Sequence, residues 1–453
     1  MRVLVVAANQ EQEPEPVVPL GAAYVAAAAR DAGHDVRLHD ACFDGAHAPE
    51  RAARAAASWA PDVIGVSIRN CDDVAWPRSR SFVTGIEKLV GAVRGAVPTA
   101  RLVLGGSGFS LFPELFLDRL GADHGVVGEG EVTFVELLDA IGRRDGPPRL
   151  LSGSAPSPLA GPPPAIDLVD VARYAQEGGC AAVQTKRGCA MGCAYCTYPL
   201  LEGAAWRRRD PEVVVDELER AWIDRGVTHA FIVDNVFNIP RAHAIAVCAA
   251  MERRRLPLRW TAFVSPHGAS SAMLGAMRRA GCEGVELGTD AAHPDTLEGL
   301  SKPFGVDEIV AASGACHDAG VPFCHALVLG GPGETSRTLA QTVEIVEATR
   351  PAAVVAMLGV RIYPGTPLAR RAVREGLLAS EASLGLAPEF YVSPAVRETL
   401  VARAREIAAL LPHWIFPALE GDEARATCAS LRRRGRRAPL WTLARRRLAR
   451  PRR

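Results

Sequence analysis

Thr185-Lys-Arg-Gly-Cys-Ala-Met-Gly-Cys-Ala-Tyr-Cys-Thr-Tyr-Pro199 is the stretch from which the rest of this chain is read. Its three cysteines, Cys189, Cys193 and Cys196, have the spacing C-x3-C-x2-C. A [4Fe–4S] cube is normally held by four thiolates. Three at this spacing bind three corners and leave the fourth iron open to a small molecule. Gly188 and Gly192 let the loop curl without steric penalty, and Tyr195 sets an aromatic ring beside the metal. Thiols buried only as small hydrophobes would have no reason to crowd a glycine-rich loop in this register.

The loop follows a candidate strand at 181–186, the first of about six that alternate with helices. The others are 230–235, 259–264, 284–288, 323–329 and 354–362, and the helices are 211–225, 241–254, 270–280, 307–319 and 335–349. Pro211 suits a first helical turn with Asp210 as its cap. Six βα units predict a partial (β/α)6 barrel over residues 180–370, with its chemistry at the carboxyl ends of the strands. Other strand-end groups converge on the same mouth: Asp234-Asn235, Glu286, Gly330-Gly-Pro-Gly-Glu-Thr335 and Tyr363-Pro-Gly-Thr-Pro367. Thr335 also reads as the cap of the next helix, and Glu286 reads either as a ligand contact or as a structural ion-pair partner. His229, His243, His267, His293, His317 and His325 share no metal-ligand spacing.

Upstream, residues 1–142 alternate strands (2–8, 35–39, 62–68, 101–104, 124–127) with Ala-rich helices (21–32, 48–60). This spacing predicts an α/β domain with a doubly wound, Rossmann-like parallel sheet. Such sheets bind ligands beyond the carboxyl ends of their strands. The loops there are Ser67-Ile-Arg-Asn70, Gly105-Gly-Ser-Gly108 and Gly128-Glu-Gly-Glu131. Their glycines admit a large flat ligand or simply form turns; Ser67 and Ser107 offer hydrogen bonds. Residues 143–179 hold Gly-Pro-Pro and Gly-Pro-Pro-Pro runs and read as an irregular linker. Residues 371–431 read as a helical segment that closes the barrel mouth and shapes a substrate pocket.

The chain of 453 residues is 48% hydrophobic and 23% charged, an ordinary globular composition with room for two or three domains. No run approaches the ~20 apolar residues of a membrane span, and the first residues enter a strand without a signal-peptide pattern. The eight cysteines outside the loop are scattered, which fits reduced thiols in a cytoplasmic protein. The net charge of +1 is uneven: residues 432–453 carry eleven arginines and no acid, leaving 41 basic against 51 acidic groups elsewhere, or −10. The tail, with Leu440, Trp441, Ala444 and Leu448 among its arginines, reads either as a solvated end or as a dock for anionic lipid or an acidic carrier protein. An acidic body argues against a nucleic-acid partner.

The cysteine stretch resembles the signature of radical S-adenosylmethionine (SAM) enzymes. That resemblance implies a SAM chelated at the open iron and cleaved by one electron to methionine and a 5′-deoxyadenosyl radical, with an electron donor such as flavodoxin or ferredoxin. It also implies SAM contacts at Tyr195, Asp234, Glu286 (ribose), Gly330, Gly331, Ile362 and Tyr363 (adenine). Val233-Asp-Asn235 departs from the Gly-Gly-Glu element of the family. The N-terminal half resembles the cobalamin-binding domain of one large radical SAM class, through Pro19-Leu-Gly-Ala-Ala-Tyr24, Ala32-Gly-His-Asp35, Gly105-Gly106 and Val127-Gly-Glu-Gly-Glu131. This implies cobalamin contacts at Ser67, Gly105, Gly106, Ser107, Gly128, Glu129 and Gly130. No D-x-H-x-x-G occurs, so the lower face of the corrin is expected to lie against Arg69, Asn70 or Trp76 without a histidine ligand.

The resemblance implies a methyltransferase acting on an unactivated carbon, less often phosphorus, of a small metabolite, in natural-product biosynthesis. A second reading keeps both cofactors for cyclisation, ring contraction or oxidation, since cofactor sites do not fix the reaction. A third is a non-catalytic cobalamin or redox sensor, which would bind a corrinoid but cleave no SAM.

Overall fold

A computed structural model describes residues 1–13, 15–153, 159, 161–421, 430, 431, 434 and 441. The first sheet contains β1 (Arg2–Ala7), β2 (Asp35–Asp40), β3 (Val63–Ser67), β4 (Arg101–Gly105), β5 (His124–Val127) and β6 (Leu150–Ser152). All pairings are parallel, in the order β2-β1-β3-β4-β5-β6. Alternation along β1 shows why both faces are apolar. Val3, Val5 and Ala7 pack against the helices Leu20–Asp31 and Glu131–Arg143. Leu4 and Val6 pack against Ala48–Trp59 and Val83–Ala96 on the other side.

The region expected to be an irregular linker is only partly so. It supplies β6, which adds to the sheet beside β5, and the helix Val171–Glu177, whose N-cap Asp170 accepts a hydrogen bond from the Arg173 amide.

The second half holds β7 (Ala181–Val183), the two-residue strands β8 (Lys186–Arg187) and β9 (Arg207–Arg208), then β10 (His229–Ile232), β11 (Arg259–Val264), β12 (Cys282–Asp290), β13 (Phe323–Leu329) and β14 (Ala353–Leu358). β15 (Val360–Arg361) pairs with β16 (Phe390–Tyr391), and β17 (Trp414–Ile415) ends the series. The large sheet is parallel throughout, ordered β17-β14-β13-β12-β11-β10-β7. The six expected barrel strands are present, and the C-terminal segment adds a seventh. That segment is less helical than its composition suggested: between the helices Pro367–Arg374 and Leu400–Leu410 lie mostly turns and short strands.

The two halves share cores rather than merely touching. One cluster runs from Leu4, Trp59 and Ile86 in the first sheet to Leu327, Val360 and Leu400 in the second half. No helix among the described residues is long and apolar enough to cross a membrane. Apart from Arg434 and Trp441, the basic tail lies outside the described residues, as does Cys428.

Candidate functional site

The cysteine loop leaves the end of β7 and is tied down at both ends. The Cys189 amide donates to Gly203 O (3.1 Å) and the Ala194 amide to Leu300 O (2.9 Å), while the Leu368 amide donates to Ala194 O (2.8 Å). Gly188 has φ +82°, and a Cβ there would lie 2.0 Å from Ala205 O, so no other residue fits. Asn235 donates to Gly188 O (3.3 Å) and to Glu202 Oε2 (3.2 Å), and Glu202 in turn accepts from the Gly188 amide.

Burial pushes the Cys196 thiol up to about 12 and raises Cys189 and Cys193 as well, while the Lys302 ammonium acts against the rise at Cys193. Loading with iron must therefore displace protons. Among the described residues no three His, Cys, Asp or Glu side chains converge on a point that would hold a single ion. A cube presents three separate iron corners, so thiols that flank one loop without converging suit it. These cysteines fit a [4Fe–4S] cluster on donor chemistry and spacing.

Two residues not singled out from the sequence stand beside this loop. Asp290, at the carboxyl end of β12 with φ +61°, accepts hydrogen bonds from Tyr195 Oη and from Lys302 Nζ (2.7 Å), and all three side chains are largely buried. The strand-end rule that singled out Glu286 would have reached Asp290 had β12 been read to its full length.

The expected SAM residues separate into three groups. Tyr195 adjoins the cysteines. Gly330 and Gly331 form a loop whose amide at Gly330 is capped by the buried Glu334 carboxylate, and the C-terminal segment covers it, with Ser393 N donating to Gly330 O (2.8 Å). Ile362 and Tyr363 lie at the last strand end, where the Tyr363 ring sits 6.3 Å from Phe112 of the first half. Asp234 is a correction. Its carboxylate accepts from the Thr185 amide (2.7 Å), the Thr185 hydroxyl and Lys186 Nζ (2.7 Å), with none of its side chain exposed. It braces the root of the loop and has no oxygen left for a ligand. Glu286 lies deeper, inside the barrel, where its carboxylate accepts from the Trp441 indole at 3.2 Å.

Beyond the carboxyl ends of β1, β3, β4 and β5 lies a cavity of about 370 Å³. Ser67, Arg69, Gly105, Gly106, Ser107, Gly128, Glu129 and Gly130 all line it, and it runs inward between the sheet and the helices Leu20–Asp31 and Glu131–Arg143. A slot lined by these glycine loops would admit the nucleotide tail of a corrinoid. No histidine lines the cavity among the described residues. Arg69 lines it and makes no side-chain hydrogen bond or ion pair among the described residues.

Two expected contacts do not line it. Asn70 borders a smaller neighbouring cavity of about 210 Å³. Trp76 turns away onto the barrel, its Cβ 3.3 Å from the position a Cβ on Gly359 would take. Gly106 is held at φ +94°, and a Cβ there would lie 2.6 Å from Ile68 O. Gly106→Ala should therefore cost about 1–3 kcal/mol of stability in urea unfolding; an unchanged midpoint would show that the strand end is not fixed by this approach.

The cavity's far wall comes from the other half of the chain, through Gln184, Arg187, Tyr198, Leu201 and Glu202. These positions flank the cysteines on both sides. Arg187, two residues before Cys189, donates to Glu129 (2.8 Å), Glu131 (2.5 Å) and Gln184 (2.9 Å), and stacks on Tyr24 at 5.1 Å. Arg207 also donates to Glu129 (3.1 Å to Oε2). Glu129 thus borders the slot, but its carboxylate is held by arginines. Further round, Asp72 of the first half accepts from Arg361 Nε at 3.0 Å with both side chains buried, and the Arg361 guanidinium stacks on Tyr363 at 4.7 Å.

Comparison with known proteins agrees with this geometry. Residues 12–138 match the B12 binding domain and residues 183–346 match the radical SAM superfamily. An uncharacterized methyltransferase of Pyrococcus horikoshii is 25% identical over 405 residues, covering 83% of this chain and 84% of that protein. A tryptophan 2-C-methyltransferase of Streptomyces laurentii is 27% identical over 388 residues, covering 68% of this chain and 64% of its own length. The fold superposes on that of the radical SAM methyltransferase TsrM from Kitasatospora setae, solved with cobalamin and a [4Fe–4S] cluster, with a TM-score of 0.86 at 23% identity over 99% of this chain and 97% of that one. The chain thus carries a B12-binding domain followed by a radical SAM domain.

Proposed function

We propose that the protein transfers a methyl group from SAM, by way of corrin cobalt, to an unactivated carbon of a small metabolite in natural-product biosynthesis. The observation that carries this reading is the shared wall: the cysteine loop, through Arg187 and Tyr198, is also one side of the corrin slot. A substrate between the two would be within reach of both centres, which is what a two-cofactor transfer needs. Relatives named as methyltransferases support this reading, and relatives named as anaerobic magnesium-protoporphyrin IX monomethyl ester cyclases keep the cyclising one as the alternative to test.

When bound, the cluster supplies the electron that cleaves SAM and the corrin supplies a metal that carries methyl. The chain's own residues bind and orient. Cys189, Cys193 and Cys196 hold the cluster; Lys302 and Asp290 fix Tyr195 beside it. Arg69, which lines the slot with no histidine beside it among the described residues, would contact a bound corrinoid in place of an imidazole. Ile362 and Tyr363 at the last strand end receive the adenine, beside the Gly330–Gly331 loop whose backbone is hydrogen-bonded to Glu334 and Ser393. Electrons come from a flavodoxin- or ferredoxin-like donor in the cytoplasm.

The test is anaerobic purification, reconstitution with iron, sulfide and hydroxocobalamin, and mass analysis of SAM products with candidate substrates. Methyl transfer predicts S-adenosylhomocysteine and a product heavier by one methylene. 5′-Deoxyadenosine with no methylated product would favour the cyclising or oxidising reading.

A further inference from the structure

We propose that Trp441 anchors the arginine-rich C-terminal segment in the floor of the barrel and positions Glu286 beneath the SAM site. The positioning role rests on the reading of Glu286 as a SAM contact; the anchor does not. Alternation along β12 separates two faces. Val285 and Leu287 pack into the helical core, so Gly284, Glu286 and Gly288 face the barrel interior. The Trp441 indole enters that interior from below. It is 3% exposed and packs on Cys324 and Ala353, with Ala352, Val355 and Ile415 around it, at the amino-terminal ends of β13 and β14.

Two independent features show a fitted seat. A Cβ on Gly284 would lie 2.8 Å from the indole ring, so the strand has a glycine where the ring lies. The indole N–H donates to Glu286 Oε1 at 3.2 Å and acts against the burial that raises this carboxyl to about 7. The groups around it are Phe263 on β11, Cys324 on β13, and Glu15, whose like charge adds to the rise; Glu283, earlier on β12, lies 3.8 Å from His229. A bond to the ionised form favours that form, so Trp441 limits the rise and keeps the Glu286 carboxyl pointed at the interior. A tail whose one aromatic residue is buried in its own barrel is not presenting that residue to a lipid surface or a carrier protein.

Limited trypsin digestion of the full reconstituted chain tests the anchor, because the segment beyond Leu431 holds eleven arginines. Trp441→Ala should lose this segment at least about tenfold faster than the parent, whereas Trp441→Phe, which keeps a ring in the seat, should stay protected. Equal rates in parent and Trp441→Ala would overturn the anchor.

SAM affinity across pH, by equilibrium dialysis, tests the positioning. In the parent, affinity should fall as pH drops through about 7. Trp441→Phe should move that midpoint upward by about one pH unit, and Glu286→Gln should abolish it. An unmoved midpoint in Trp441→Phe would overturn the positioning role. Unchanged affinity at every pH in Glu286→Gln would overturn the SAM reading of Glu286 itself, while tail protection in the same variant would still uphold the anchor.

Discussion

Replacing Cys189, Cys193 and Cys196 by alanine should abolish both the iron–sulfur chromophore and SAM cleavage, and leave corrinoid uptake within a few-fold of the parent. None of the three sulfurs lines the corrin slot, whereas Arg187, Tyr198, Leu201 and Glu202, which do, are untouched by the change. The loop is also held by contacts that do not involve the thiols: Gly188 to Glu202, Ala194 to Leu300 and Leu368 to Ala194. Since burial disfavours the thiolates, alanine at these positions removes no charge the apo fold depends on. Iron and SAM-product analysis reads the first half of the expectation, and hydroxocobalamin titration reads the second. SAM cleavage surviving the triple change would refute the cluster assignment. Corrinoid uptake lost along with iron would show that the loop cannot keep its shape, and with it the slot's wall, without metal.

The second large effect concerns the buried bolt between the halves. Arg361→Met leaves Asp72 as a fully buried carboxylate that, among the described residues, keeps only the Val74 amide at 2.9 Å. Removing one partner of such a pair typically costs about 3–5 kcal/mol, whereas removing both costs much less. Asp72→Asn combined with Arg361→Met should therefore recover a substantial part of the loss, and urea unfolding of the four proteins gives the coupling energy. Because Arg361 also stacks on Tyr363, the single variant should weaken SAM binding as well. A cost of Arg361→Met below about 1 kcal/mol would mean the pair is not what aligns the barrel's last strand with the first domain.

The features legible in the sequence are those written in short range. The cysteine spacing, the glycines that curl the loop and the alternation of apolar runs are all properties of a few consecutive residues. They placed the loop, both sheets and most of the strand-end loops that line the large cavity. β6 was missed because its three residues lie among prolines and glycines, and β17 because two residues carry no period. The ion pairs could not be read at all. Arg361 and Asp72 are 289 positions apart, and Arg207 and Glu129 are 78 apart, so only the folded chain brings them together. Asp234 was misplaced for a related reason. A strand-end carboxylate looks available until the neighbouring strand supplies a lysine, and Lys186 does so with only 2% of its side chain exposed. Trp441 was read as part of an exposed stripe because nothing local announces a seat formed by Gly284, Cys324 and Ala353 on separate strands.

The account stands on the claim that cluster and corrin face one another across a single interdomain space. Pulsed electron paramagnetic resonance on the reconstituted protein, with the cluster reduced and the corrinoid held as cob(II)alamin, tests this most directly. Strong magnetic coupling between the two spins, lost in the triple cysteine variant, is the predicted result. Two spectra that superimpose on those of the separately loaded forms would place the centres too far apart for one substrate to meet both.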